Sequence, residues 1–289
     1  MVKKRVLITG ANSYIGTSVE KYVLENYPED CAFDTIDLKD SSWREKDFSD
    51  YDVVFHVAGI AHQKETKENA ENYYKINRDL VVEVATKAKS EGVRQFIQLS
   101  SMSVYGLTTG KITLDTETKP NTNYGKSKLE AEEKISVLAD ENFKVCILRP
   151  PMIYGKNCKG NYQTLVKFAN KLKIFPYVKN QRSMLYIDNL SEFIRLMIVN
   201  EESGIFFPQN AEYTNTSDMV KAIAIAHGKK LHLIHGFGWA IKLMGLFIGL
   251  AKKAFGSLTY DVTMSNYKED YVAVKLMDSI KNCESEDNE

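Results

Sequence analysis

Short runs of β-branched and aliphatic residues that alternate with helix-forming stretches constrain this chain more than any other feature. "RVLIT" (5–9), "CAFDTID" (31–37), "DVVFHVAG" (52–59), "VRQFIQLSS" (93–101) and "FKVCILRP" (143–150) read as strands. Among them lie "TSVEKYVLENY", a long helical run from about Glu71 to Glu91, and a helix carrying Tyr124. Strands this rich in Val, Ile and Leu predict an α/β fold whose parallel sheet is covered on both faces. Near Lys156 the alternation loosens, which predicts a smaller C-terminal lobe. The expected division is a first unit over 1–155, with 185–212 returning to it through "GIFFPQN" (204–210). Residues 156–184 and 213–280 then form the lobe, and 281–289 an acidic, disordered tail.

Composition narrows the class of partner. Lys+Arg and Asp+Glu are both 38 in 289 residues, so no global field recruits nucleic acid or a membrane surface. Cys31, Cys146, Cys158 and Cys283 show neither metal-like nor redox-like spacing, so reduced thiols, a cytoplasmic location and no metal are expected. "MVKKRVLIT" runs straight into a strand and does not read as a secretory leader. "GWAIKLMGLFIGLAKKAFG" (238–256) is strongly apolar, but Lys242 and Lys252–Lys253 break it, so it is too short and charged to span a bilayer. A helix packed in the lobe is the favoured reading. The alternative is a face laid on a membrane surface or a partner.

The first strand ends in "GANSYIG" (10–16) and opens a helix. Unsatisfied amides and the helix dipole favour an anion at such a helix start, so a pyrophosphate fits. Gly10 permits the tight turn and Gly16 close helix–strand packing, while Asn12, Ser13, Tyr14 and Ile15 fill the loop. Ser13 stands where a middle glycine is expected and adds a hydroxyl donor. Asp37 lies 21 residues after Gly16, at the end of the second strand, where an acid holds the adenosine ribose hydroxyls. That carboxylate repels a 2′-phosphate and so favours NAD over NADP, although Lys39 keeps NADP open.

"NTNYGKSKLEAEEK" (121–134) sets Tyr124 and Lys128 four apart, on one helical face. A phenol has a free pKa of about 10, and a nearby ammonium would lower it. Tuned in this way, Tyr124 would carry the proton that accompanies hydride transfer at a carbinol.

"YGKSK", "LITGANSYIG" and "LSSMSVYG", in this order, resemble the extended short-chain dehydrogenase/reductase family, from about Lys4 to Asn210. The resemblance implies a Rossmann-like doubly wound sheet with a substrate-binding lobe. It implies a serine four residues before Tyr105, which is Ser101, with Ser103 as the competing choice. It also has Ala58, Gly59, Asn77, Ser100 and Pro151 lining the cofactor together with Tyr124 and Lys128, whose ammonium would reach the nicotinamide ribose. His62 and Met102 would face substrate, and His56 reads as structural.

Sugar-nucleotide dehydratases of this family carry an Asp-Glu pair after the catalytic Ser/Thr. Met102 and Ser103 stand there instead, which argues against dehydration. "NQRSMLYIDNL" (180–190) resembles the segment whose arginine, here Arg182, grips the substrate pyrophosphate, a task suited to a bidentate guanidinium. "KGNYQTL" implies Asn161 as a nucleotide contact. Met152 replaces an asparagine of galactose-type 4-epimerases. "LRPPMIYG", "NQRS" and "FGSLTYD" look most like capsule-biosynthesis enzymes that reduce a UDP-4-keto-6-deoxy-N-acetylhexosamine. The expected partner is therefore a UDP-sugar, with a homodimer compatible. A UDP-sugar 4-epimerase and a non-catalytic NAD-binding sensor remain the alternatives.

Overall fold

The computed structural model describes residues 2–61, 65–236 and 255–285. His62 and most of the apolar stretch 238–256 lie outside them. Among the described residues no helix is long and apolar enough to cross a membrane.

Six parallel strands build the main sheet: β1 (Lys4–Thr9), β2 (Cys31–Ile36), β3 (Val53–His56), β4 (Gln95–Leu99), β6 (Lys144–Leu148) and β10 (Gly204–Phe206). Their order is β10-β6-β4-β3-β1-β2. Alternate side chains of each strand point to opposite faces, and both faces are buried, as in a sheet wound on both sides. Val6, Ile8, Val53, Phe55 and Ile97 meet helices α1 (Tyr14–Asn26) and α6 (Ile187–Val199). On the other face Leu7, Val54, Phe96 and Ile147 meet α3 (Leu80–Ser90) and α4 (Asn123–Ser136). The fold is α/β and Rossmann-like.

The run from about Glu71 to Glu91 is not one regular helix. A short α2 (Ala70–Tyr74) passes through a π-helical turn at Lys75–Asp79 before continuing as α3. Such turns recur at functional sites, and this one carries the fully buried Asn77.

Outside the main sheet, β5 (Gly110–Ile112) pairs with β12 (Leu258–Tyr260), β7 (Met152–Tyr154) with β9 (Met184–Tyr186), and β8 (Ile174–Pro176) with β11 (His232–Ile234). Helices α5 (Asn161–Lys171) and α7 (Thr216–Ala226) pack together beside them.

Residues 281–284, expected to belong to a disordered tail, are helical. A C-terminal helix, Leu276–Glu284, buries Ser279, Ile280 and Cys283. Its Glu284 accepts from Tyr162 Oη at 2.6 Å and meets His227 Nε2 at 2.6 Å. The apolar period Leu276, Ile280, Cys283 explains the helix; the acidic composition of the last residues concealed it.

Candidate active site

All six parallel strands end at one edge of the sheet, and the strand order reverses between β1 and β3. A crevice outside the carboxyl ends of the strands at such a reversal is where open α/β sheets bind ligands. Gly10, at φ 112°, leaves β1 so close to β3 that an added Cβ would stand 3.0 Å from the Ala58 amide nitrogen. Asn12 takes the left-handed conformation, φ 60°, and carries the turn into α1. Ser13 caps that helix: its Oγ accepts from Gly16 N–H at 3.2 Å, leaving the hydroxyl proton free to donate. A Cβ on Gly16 would collide with Ser13 Oγ at 2.6 Å and Ile8 at 2.9 Å, so glycine is required there.

Asp37 follows the end of β2 with its side chain partly exposed. Its carboxylate accepts from Lys39 N at 3.0 Å and Nζ at 3.1 Å, and the Lys39 side chain holds its pKa below the usual carboxylate range. The cradle, the bare backbone at Gly10 and this acid fit a dinucleotide, with the pyrophosphate at α1 and the adenosine ribose at Asp37. Tyr14 serves this loop through its backbone alone. Its hydroxyl is buried against Gly155, where an added Cβ would lie 2.4 Å away. Ile15 is half-buried and packs on the core beneath.

Ala58 and Gly59 continue from β3. Asn77 holds the next residue in place: its Oδ1 accepts from Ile60 N–H at 2.8 Å and its Nδ2 donates to Ile60 O at 3.0 Å. A Cβ on Gly59 would come within 3.0 Å of Asn77 Oδ1 and 3.4 Å of Lys128 Nζ, so a side chain there would crowd both. His56 is buried, with Nδ1 2.8 Å from Thr9 Oγ1, and burial drives its pKa down to about 3. It is a neutral structural histidine.

Helix α4 begins at the mouth of this crevice. Thr122 caps it through Gly125 N–H at 3.0 Å, and Glu65 accepts from the amides of Asn123 and Tyr124, each at 3.0 Å. Negative charge is favoured there by the unpaired amides and the helix dipole. Tyr124 is half-buried, its ring set edge-on to Tyr73 at 6.4 Å. The Ser101 hydroxyl favours the ionised Tyr124 phenol. Ser101 also caps the 3-10 turn Met102–Tyr105 through Ser103 N–H at 3.1 Å, and bonds Ser103 Oγ at 3.1 Å. Of the two serines, Ser101 is the one that bears on the tyrosine's ionisation.

One expectation is corrected. Lys128 shares the face of Tyr124, but its Nζ donates to Leu99 O at 2.9 Å instead of stabilising the phenolate. Burial raises the pKa of Tyr124, opposed by the Ser101 hydroxyl, and burial lowers that of Lys128 to about 8. The protein environment thus pushes these two values apart, with the ammonium directed at the strand end. Ser100 is buried, and its hydroxyl bonds Glu132.

Met102 N–H donates to Pro150 O at 2.9 Å, which sets Met102, the buried Pro151 and Met152 at the ends of β4 and β6. Asn161 is exposed at the first turn of α5. Arg182 bridges Thr214 and Leu258 through its backbone, and its Nη1 donates to Gly256 O at 2.9 Å. Burial holds the Arg182 pKa below its ordinary value. Both residues lie outside the main sheet.

Sequence reasoning missed Glu65, Thr122, Glu132 and Arg149. Thr122 carried a signal, a hydroxyl residue just before a helix. Glu132 carried another, an acid eight after Tyr124 and four after Lys128 on the same face.

A glycine-rich turn opening α1, with a serine, a tyrosine and a buried lysine near the same strand ends, fits an enzyme of the extended short-chain dehydrogenase/reductase type. The chain belongs to the NAD dependent epimerase/dehydratase family, whose model matches residues 6–206. It is 29% identical over 289 residues to a UDP-glucose 4-epimerase of Vibrio cholerae, covering 90% of this chain and 88% of that one. It is 26% identical to an N-acetyl-α-D-glucosaminyl-diphospho-ditrans,octacis-undecaprenol 4-epimerase of Escherichia coli O157:H7, covering 80% and 74%. A UDP-2-acetamido-2,6-β-L-arabino-hexul-4-ose reductase of Pseudomonas aeruginosa is 26% identical over 67% of this chain and 49% of its own length. The crystal structure of a Bacillus cereus UDP-glucuronic acid 4-epimerase in complex with NAD shares the fold, at TM-score 0.73, 18% identity and 97% coverage of both chains.

Proposed function

We propose that this protein transfers hydride at C4 of a UDP-hexosamine, reducing a 4-keto-6-deoxy sugar during polysaccharide biosynthesis. The observation that carries the reading is Lys128, one helical turn after Tyr124, whose Nζ reaches Leu99 O at the end of β4, two residues before Ser101. NAD, when bound, supplies or accepts the hydride. Tyr124 holds the proton for the C4 oxygen, and Ser101 hydrogen-bonds that oxygen and fixes its direction. Lys128, raised on α4 beneath Gly59, holds the nicotinamide ribose and places positive charge near the phenol once that ribose draws it from Leu99 O. Asp37 selects NAD over NADP by repelling a 2′-phosphate. Arg182 and Asn161 take the diphosphate and the nucleotide, with Met102, Met152 and His62 bordering the sugar. Met102 and Ser103 supply no acid–base pair for dehydration, and Met152 in place of an asparagine favours reduction over epimerisation.

A UDP-sugar 4-epimerase is the second reading, favoured by similarity to an epimerase over 90% of the chain. The two are separated with NADH carrying deuterium at C4 of the nicotinamide and a UDP-4-keto-6-deoxy-N-acetylhexosamine. A reductase consumes cofactor stoichiometrically and delivers the label to C4 of the sugar. Interconversion of two UDP-hexoses with no net cofactor change would overturn the reduction. Tyr124→Phe should lower turnover by about 10²–10⁴-fold in either case, with cofactor affinity nearly intact.

A further inference from the structure

Behind the Ser101–Tyr124 pair lies a charged network that the proposed chemistry does not use. Glu132 is 2% exposed and Arg149 8%. The guanidinium grips the carboxylate through Nε at 3.1 Å and Nη2 at 2.5 Å. The Ser100 hydroxyl bonds the same carboxylate, and Arg149 Nη1 donates to Tyr105 Oη at 3.0 Å. Tyr260 Oη donates to Arg149 O at 2.8 Å, which ties in β12.

These attachments surround Ser101. Ser100 precedes it, Tyr105 closes the 3-10 turn that it caps, and Arg149 ends the strand beside it. Glu132 itself stands one helical turn beyond Lys128 and two beyond Tyr124, on the same face of α4. The three groups that must converge thus come from two elements, and Glu132 is joined to both. We propose that Glu132, locked by Arg149, is a positioning residue that registers the Ser101 strand end against the helix of Tyr124 and Lys128.

A buried ion pair adds little net stability over apolar residues of the same size, so its presence calls for another role. Electrostatics agree with the geometry. Burial pushes the Lys128 ammonium down to about 8, and the Glu132 carboxylate opposes that fall. The other charged or titratable groups around Lys128 are Tyr124 on its own helix, His56 on β3, and Arg149 with Tyr105 behind Glu132. His56 is neutral at working pH.

The inference rests on the roles proposed for Ser101, Tyr124 and Lys128, and its test separates the two. The Lys128 Nζ titration is followed by NMR of protein labelled with [13C]lysine, its signal assigned by loss in Lys128→Met. In Glu132→Gln the Lys128 midpoint should fall by about one unit or more. The companion variant is Glu132→Leu with Arg149→Met, which replaces the pair by apolar side chains of similar size. It should fold with an unaltered melting profile and lose about 10–100-fold in kcat, with KM and NAD affinity within about twofold. An unchanged Lys128 midpoint in the Gln variant, or a folded double variant with wild-type turnover, would overturn the proposal. Should Tyr124→Phe retain full turnover, the proposed chemistry would fail, while the NMR titration would still report on Glu132.

Discussion

Lys128 shows what a residue poised for chemistry does to the fold that carries it. Its folded pKa of about 8 lies below the ordinary lysine value, so the folded state binds the proton less tightly than the unfolded chain. Below pH 8 both states are protonated and the full penalty of a buried ammonium is present. As pH rises from about 8 toward 10.5 the penalty disappears. Lys128→Met should therefore raise stability at pH 7 by on the order of 1–2 kcal/mol, after allowing for the hydrogen bond lost at Leu99 O. The gain should vanish near pH 10.5, and turnover should collapse at every pH. Thermal unfolding of both proteins across pH 6–10.5 checks this; a destabilised variant at pH 7 would contradict it. That Tyr124 and Lys128 share one helical face was legible from their spacing. The direction of the ammonium was not, because helical periodicity places a side chain on a face without naming its partner across the sheet.

At the scale of elements, α4 begins where its own cap and one distant carboxylate hold it. Thr122 and Glu65 between them satisfy three of its first amides. Glu65 stands between β3 and α2, so it ties that segment to the backbone of Tyr124. Glu65→Ala should lower stability by about 1 kcal/mol, or roughly 2–4 °C in Tm, as loss of a helix cap does. It should also raise KM for the nucleotide sugar more than it lowers kcat. Equal KM for variant and wild type would show that Glu65 is only a cap. The long strands were readable because runs such as "RVLIT" and "KVCIL" have the length and β-branching that set strands apart. The three-residue strands β5, β7, β8, β9, β11 and β12 carry too little sequence for any period. The π turn at Lys75–Asp79 was hidden for a related reason, since one extra residue per turn does not alter composition.

The whole molecule is closed by its far end. Tyr154 Oη meets Ser279 Oγ at 2.6 Å, and Ile280 and Cys283 are buried in the same core as β7 and α7. Deleting residues 276–289 should cost at least about 3 kcal/mol from the apolar side chains exposed, lowering Tm by more than 5 °C. A truncated chain that melts like the intact one would disprove this. The main sheet adds a consequence in time. Strand β10 closes the β6 edge of the sheet, yet it is made only after about 55 further residues have been added beyond Leu148. During synthesis the nascent sheet therefore waits several seconds, at ribosomal speeds, with the apolar edge of β6 unpaired. Chaperone capture and mispairing between neighbouring nascent chains are hazards of that interval, and they end when Gly204–Phe206 emerges.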